Sequence, residues 1–217
     1  MIFKQIISAI ILGSGILLFS CSDGVKKEET KKIEKELTAK DILGNPDYPA
    51  MSYGGYRCSD HSIEPTLDEI KEDVKLMHAL GIRIVRTYKL HLPQATNLLK
   101  AISELKKTDP DFEFYVMLGI WINCKDAFTD NPDHDFEDET ANNSEVQLAI
   151  KLANKYPDIV KVLAVGNEAM VKWAASYFVQ PGIILKYVNQ LQNLKKAGEL
   201  PENLWITCSD NFASWGG

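Results

Sequence analysis

The dipeptide Asn167-Glu168 is the part of the chain best suited to chemistry. It follows the apolar run Val162-Leu-Ala-Val-Gly, which is short enough to be a buried strand that ends in an amide and a carboxylic acid. In α/β barrels the active site is assembled at the carboxyl ends of the strands, and a partly dry cleft favours the protonated form of a glutamic acid. Glu168 is therefore a candidate general acid. From spacing alone, the same pair could be the N-cap and first-turn acid of the next helix.

Short apolar segments alternate with amphipathic helices from about Pro49 onward. The predicted strands cover residues 50–56, 82–88, 112–121, 160–165 and 204–208. The helices are predicted to begin at the capping box Thr66-Leu-Asp-Glu69, near Pro93, at the motif Ser144-Glu-Val-Gln147, and at Pro181. Strands that alternate with helices in this way predict an α/β fold with a parallel sheet, either open and doubly wound or closed into a barrel.

The ends of the strands favour the barrel. No Gly-x-Gly-x-x-Gly motif or P-loop follows any strand, and the strand ends instead carry tyrosine, arginine, tryptophan, asparagine and glutamate, as sugar-binding barrels do. A complete (β/α)8 TIM barrel needs about 250 residues. We therefore predict a TIM barrel that is truncated after about the fifth strand and occupies residues 46–217.

The amino-terminal segment resembles that of a bacterial lipoprotein. Residues 1–20 have a basic start and an apolar core, which predicts a secretory signal peptide, and Leu18-Phe-Ser-Cys21 resembles a lipobox with Cys21 as the lipidated residue. Plain cleavage into the periplasm is the alternative. Residues 21–45 are mostly charged and predict a tether. The expected location is the cell envelope, at the outer membrane or cell surface, with the membrane as a partner through the lipid anchor.

Composition excludes some partners and cofactors. The net charge is −6 and there is no basic stripe with interleaved aromatic residues, so nucleic acid is not an expected partner. The histidines and the remaining cysteines, Cys58, Cys124 and Cys208, lack metal-ligand spacing, and we predict small buried thiols with at most one disulfide. The acidic segment 125–143 lacks the turn-forming glycine of a calcium loop and is predicted to be a solvated loop. No metal or cofactor is predicted.

Five motifs together resemble glycoside hydrolase family 17, the β-1,3-glucanase family of retaining (β/α)8 glycosidases. They cover almost all of the chain after Pro49. The motifs are Ser52-Tyr-Gly54, Ile84-Val-Arg-Thr-Tyr88, Val116-Met-Leu-Gly-Ile-Trp121, Val165-Gly-Asn-Glu168 and Ser209-Asp-Asn-Phe-Ala-Ser-Trp-Gly-Gly217.

The resemblance implies roles for individual residues. Glu168 would be the catalytic acid/base, and Asn167 would hydrogen-bond the 2-hydroxyl of the sugar being cleaved. Arg86 could pair with a buried carboxylate and hold the barrel together, but it is expected to orient Glu168 or the nucleophile. No residue matches the family's nucleophilic glutamate on the seventh strand, so the chain alone is expected to be inactive. The other residues assigned to substrate binding are Tyr53, Tyr88, Trp121, Asn123, Asn211 and Trp215.

The aromatic residues among these could be core side chains, but aromatic rings near strand ends also suit stacking on sugar faces. The leading hypothesis is hydrolysis of β-1,3-glucan, a polysaccharide or oligosaccharide substrate, with retention of configuration. A transglycosylase would use the same carboxylates. A surface lipoprotein that binds glycan without cleaving it is the alternative from another class.

Overall fold

The computed structural model describes residues 37–215, apart from the side chain at position 213. The predicted signal peptide 1–20, the predicted lipidation site Cys21 and the first part of the predicted tether lie outside the described residues. Within the described part of the chain, no helix is both long and apolar enough to cross a membrane.

Strands and helices alternate along the described chain. The strands are β1 (Ala50–Ser52), β2 (Ile84–Arg86), β3 (Tyr115–Ile120), β4 (Cys124–Lys125), β5 (Asp133–Glu137), β6 (Val160–Asn167) and β7 (Trp205–Ser209). The helices are α1 (Ala39–Ile42), α2 (Leu67–Ala79), α3 (Pro93–Thr108), α4 (Glu139–Lys155), α5 (Pro181–Lys196) and α6 (Phe212–Trp215).

Five of the strands form one sheet in the order β1-β2-β3-β6-β7. All four pairings in it are parallel, which confirms the predicted α/β fold with a parallel sheet. Each of its strands lies where an apolar segment was predicted. The residues of β6 are buried from Val160 through Gly166, as expected of a strand covered on both faces.

The helices begin at recognisable signals. The Thr66 side chain accepts a hydrogen bond from the Glu69 N–H at 3.2 Å, and the Glu69 carboxylate accepts one from the Thr66 N–H at 2.8 Å, so the predicted capping box is confirmed. Pro93 and Pro181 are the first residues of α3 and α5. The predicted start of α4 at Ser144 is wrong. That helix begins at Glu139, because the Asp138 side chain caps it by accepting the Ala141 N–H at 3.0 Å.

The acidic segment 125–143 is not simply a loop. Strand β4 pairs with β5 in an irregular antiparallel hairpin, and the remaining residues of the segment include the first turn of α4. Lys186 on α5 contacts the Glu137 carboxylate at 2.5 Å, and although burial opposes it, this contact helps to hold the pKa of Glu137 below its usual value. Among the described residues, no group of His, Cys, Asp and Glu side chains could hold a metal ion.

Helix α1 covers the amino ends of β2 and β3. Ile42 is fully buried with Ile84 and Tyr115, at the start of β2 and β3, and Leu37 and Tyr48 pack against this group. Residues 37–45 thus lie in the predicted tether but pack on the sheet. The packed region therefore starts before residue 46, because an apolar pair within a charged stretch can still dock on a core.

The cysteines differ in environment. Cys58, Cys124 and Cys208 are free thiols; Cys124 is buried, Cys208 is half-buried and Cys58 is exposed. The prediction of small buried residues is therefore right for Cys124 and wrong for Cys58.

Candidate active site

A break in the regular backbone presents Asn167 and Glu168 at the carboxyl end of β6. The register between β6 and β7 shifts between Val165 and Asn167, and Gly166 has a φ of +80°. Glu168 itself has a φ of +47°, and its N–H donates to the Ser209 carbonyl at 3.0 Å. Bulges of this kind re-aim side chains, and left-handed backbone at a non-glycine residue is costly and concentrates at functional sites. The alternative of a helix cap is wrong, because α5 begins only at Pro181.

Arg86 at the end of β2 reaches across the intervening β3 to the Asn167 side chain. Its Nη2 donates a short hydrogen bond to Asn167 Oδ1. The guanidinium carbon lies 5.4 Å from the centre of the Tyr88 ring, and Nε is buried without a hydrogen-bond partner among the described residues. The structure thus brings Arg86, Tyr88 and Asn167 together, with Arg86 holding an amide rather than a carboxylate.

Tyr177, which sequence reasoning missed, packs beside Trp121. It lies in the loop between β6 and α5, and its ring centre is 4.9 Å from that of Trp121. Burial raises the pKa of Tyr177, and the negative charges of Glu168 and Asp210 raise it further. The loop has no periodicity that would single out Tyr177 in the sequence.

A cavity of about 300 Å³, the Tyr88 cavity, lies at the ends of β1, β2 and β3. Tyr53, Tyr56, His61, Tyr88, Lys89 and Trp121 are among the residues that line it. The Tyr53 hydroxyl donates to the Asp73 carboxylate on α2 at 2.8 Å. Burial and the Asp73 carboxylate raise the pKa of Tyr53 far above its ordinary value. The hydroxyl of Tyr53 is therefore committed to α2, which leaves the ring as the part of this residue that can meet a ligand.

Trp121 and Asn123 form one unit at the end of β3. The Trp121 indole N–H donates to the Asn123 side-chain oxygen. The backbone of Asn123 is held on both sides by the buried Asn142 side chain, which accepts from its N–H at 2.8 Å and donates to its carbonyl at 2.9 Å. Asn123, predicted to bind substrate, therefore also fixes the orientation of Trp121.

Glu145 is a buried carboxylate that ties two strand-end loops to α4, and sequence reasoning missed its role. It is 5% exposed and accepts the backbone N–H groups of Leu90, His91 and Trp121 at 2.6 to 3.2 Å, along with His91 Nδ1 at 2.8 Å. A signal existed, because position 145 falls on the buried face of the helix. The buried residues of α4 are Asn142, Glu145, Val146, Ala149, Leu152 and Ala153. The predicted helix start at Ser144 places Glu145 in the first turn, where an acidic residue needs no further explanation.

The residues after β7 are partly joined to this group. Asp210, also missed, accepts the Met170 N–H at 2.7 Å and so holds the loop that follows Glu168. Asn211 is half-buried, and its N–H donates to the Asp210 carboxylate at 2.8 Å. Trp215 on α6 is 59% exposed. No side-chain hydrogen bond or ring contact among the described residues joins Trp215 to the other predicted site residues.

The comparisons with known proteins gave one informative match. The chain is similar to the crystal structure of an endo-laminarinase from Formosa Hel1_33_131, with 61% sequence identity and a TM-score of 0.80. The match covers 83% of this chain and 46% of the laminarinase chain, so the chain spans about half the length of that enzyme. No protein-family model matches, and the search of curated proteins gave no match. At this level of identity, the likeness to a β-1,3-glucanase-like glycoside hydrolase extends to sequence as well as to fold.

Proposed function

We propose that this protein is a glycoside hydrolase that cleaves β-1,3-glucan with retention, of the family 17 type, with Glu168 as its acid/base. The observation that carries the proposal is the pairing of Asn167 and Glu168 at the bulged end of β6, within a chain 61% identical to an endo-laminarinase over 83% of its length. The substrate is therefore proposed to be a laminarin-like polysaccharide or its oligosaccharides.

We also propose that the parallel sheet belongs to a (β/α)8 barrel. In a doubly wound sheet the strand order reverses at a switch point, where the ligand binds. Here the five parallel strands follow one another in chain order without a reversal, which favours the barrel. In barrels the carboxyl ends of the strands build the active site, and Arg86, Trp121 and Asn167 all lie at those ends.

The contact between Arg86 and Asn167 determines which atom of the Asn167 amide faces Arg86. A side-chain amide has an acceptor oxygen and a donor nitrogen, and the Arg86 guanidinium donates to the oxygen. The nitrogen is then the group that can donate to the 2-hydroxyl of the sugar being cleaved, a contact that strengthens in the oxocarbenium-like transition state. Glu168 would protonate the departing glycosidic oxygen and later activate water. Retention also requires a nucleophilic carboxylate about 5–5.5 Å from the acid, and no residue within 37–215 matches the family's nucleophile.

Because retention needs the nucleophilic carboxylate, this and every later activity measurement uses a protein that also contains it, and the test compares that protein with its Glu168→Gln variant on laminarin. Gln keeps the shape of the side chain but cannot donate the proton, so the rate should fall about 10²–10⁴-fold, or roughly 3–5 kcal/mol of barrier. Substrates with good leaving groups should lose less, and azide should restore their turnover. Glu202→Gln, at an exposed site by the amino ends of the strands, is the matched control and should leave the rate unchanged.

The products separate the neighbouring functions. Oligosaccharides shorter than the substrate indicate hydrolysis, and products longer than the substrate indicate a transglycosylase. Binding of laminari-oligosaccharides without cleavage by the protein that contains the nucleophile would instead support a glycan-binding protein. Near-normal turnover by Glu168→Gln would reject Glu168 as the acid/base.

We further propose that Cys21 is acylated and anchors the protein to an envelope membrane, on the basis of the lipobox-like motif. A Cys21→Ser variant should no longer be recovered in the membrane fraction. Mass spectrometry of its mature amino terminus should show no acyl group, whereas the wild-type amino terminus should carry one. Unchanged membrane retention would contradict the proposal.

A further inference from the structure

A second cavity of about 550 Å³, the Phe128 cavity, adjoins the Tyr88 cavity. Lys89, His91, Trp121, Asn123, Phe128 and Ser144 are among the residues that line it. Lys89 and Trp121 line both cavities, so the two form neighbouring compartments on the carboxyl side of the sheet. A ligand that fills the first cavity can therefore continue past Trp121 into the second.

Phe128 adopts a backbone conformation that its type disfavours. Its φ is +62°, and a bulky residue in the left-handed region is a clear outlier. The Phe128 N–H donates to the Ser176 carbonyl at 2.8 Å, which docks its loop on the loop that carries Tyr177. Yet 62% of Phe128 remains exposed, so burial of the ring offsets little of the strain. Strained residues that the core does not require concentrate at binding sites.

The Phe128 ring belongs to a group of three aromatic side chains beside the cavity. Its centre lies 5.6 Å from that of Tyr177 and 6.5 Å from that of Trp121. Polar groups face the same space, because Lys89 and Ser144 line it. An apolar ring face beside polar side chains suits a glucosyl unit, whose C–H faces stack on aromatic rings while its hydroxyls need polar partners.

We propose that the Phe128 cavity is a glucan subsite in which Phe128 stacks against a glucosyl residue, extending the substrate site beyond Trp121. This inference rests on the proposed function and adds to it a binding position on the hairpin side of the cleft. The left-handed backbone of Phe128 is then the means by which the hairpin holds the ring outward toward the sugar.

The experiment measures binding of a β-1,3-gluco-hexasaccharide by titration calorimetry, with every protein carrying Glu168→Gln to prevent turnover. Phe128→Gly removes the ring and also relieves the left-handed backbone, since glycine adopts positive φ freely. Its dissociation constant should rise about tenfold, as expected for loss of one aromatic contact, while its unfolding midpoint stays equal or rises. Phe128→Ala should weaken binding similarly.

Phe136→Ala is the matched control, because Phe136 lies on the same hairpin and is 63% exposed but is not among the residues lining the cavity. It should bind the hexasaccharide within twofold of the parent. A dissociation constant within twofold of the parent for Phe128→Gly would overturn the subsite and leave the proposed function standing. Loss of affinity with a matching fall in unfolding midpoint in both Phe128 variants would also overturn it, by assigning the ring to structure. Absence of binding by the parent would overturn the proposed function and the subsite together.

Discussion

The two ends of the parallel sheet are built for different purposes. At the amino ends, Ile42 from α1 is buried against Ile84 and Tyr115, with further apolar residues around them. At the carboxyl ends, the hairpin formed by β4 and β5 and the loop after β6 hold every non-glycine residue of the described chain with positive φ, namely Asp126, Phe128 and Glu168. At one end α1 packs over the starts of β2 and β3, and the other end keeps strained backbone and the exposed ring of Phe128. This division is what an active site at the carboxyl end requires.

Charged groups follow the same division. At the amino ends Lys161 is buried, and its ammonium donates to the Pro157 carbonyl at 3.3 Å and lies 5.8 Å from the Tyr115 ring centre. At the carboxyl ends, by contrast, Arg86 Nε is buried with no hydrogen-bond partner among residues 37–215. A buried donor left without a partner costs free energy and is tolerated where a ligand can satisfy it. The contrast predicts that substitutions at the amino ends change stability alone.

The largest effect on stability is expected from Ile42→Ala at the amino ends. Ile42 is fully buried, and its truncation should lower the free energy of unfolding by about 2–5 kcal/mol. Chemical denaturation followed by fluorescence measures this change. Ile63→Ala is the control, because Ile63 is 59% exposed and should cost little. If Ile42→Ala also lowered kcat on laminarin at a temperature where the protein stays folded, the separation between the two ends would be wrong.

Most strands and helices of the sheet could be predicted from the sequence, because they are marked by local patterns. The strands at residues 82–88 and 160–165 are apolar runs bounded by turn residues, and the capping box at Thr66 is a local signal. The hairpin formed by β4 and β5 was not predicted, because its short and irregular pairing leaves no alternation in the acidic segment. Helix α1 was missed for a similar reason, since its burial depends on a distant partner, the start of β2 and β3.

The candidate site could be predicted where a side chain follows a strand directly. Asn167, Arg86 and Tyr88 were found in this way, and the structure brings them into contact. Tyr177 lies in a loop without periodicity, so only the folded structure places it beside Trp121. Residues of that kind are located by long-range contacts, and no local pattern reports them.

An intermediate effect on stability is expected from Glu145→Gln at the carboxyl ends, and this substitution should also affect substrate binding. The carboxylate accepts backbone N–H groups from two strand-end loops, and an amide would turn one acceptor into a donor that faces them. The free energy of unfolding should fall by about 1–3 kcal/mol. KM for laminarin should rise as well, because Trp121 and the loop at His91 lose their anchor.

Glu139→Gln, on the exposed first turn of the same helix, is the control for Glu145→Gln and should change neither quantity appreciably. Parallel denaturation and steady-state kinetics measure the two effects. A fall in the free energy of unfolding with unchanged KM would make Glu145 a purely structural residue. Substitutions at the carboxyl ends would then affect stability alone, as is expected at the amino ends.

The smallest effect is expected from Asp138→Ala at the N-cap of α4. The Asp138 carboxylate accepts the Ala141 N–H at 3.0 Å, and loss of an N-cap of this kind typically costs about 1 kcal/mol. Asp138→Asn is the matched control, because asparagine caps helices about as well and should restore most of the stability. Since α4 carries both Glu145 and Asn142, fraying of its first turn should loosen the loop at Asn123 before it unfolds the sheet. Hydrogen exchange should therefore increase at the Asn123 amide in Asp138→Ala while the amides of β6 stay protected. Equal increases at both places would show that the carboxyl-end loops do not open independently of the sheet.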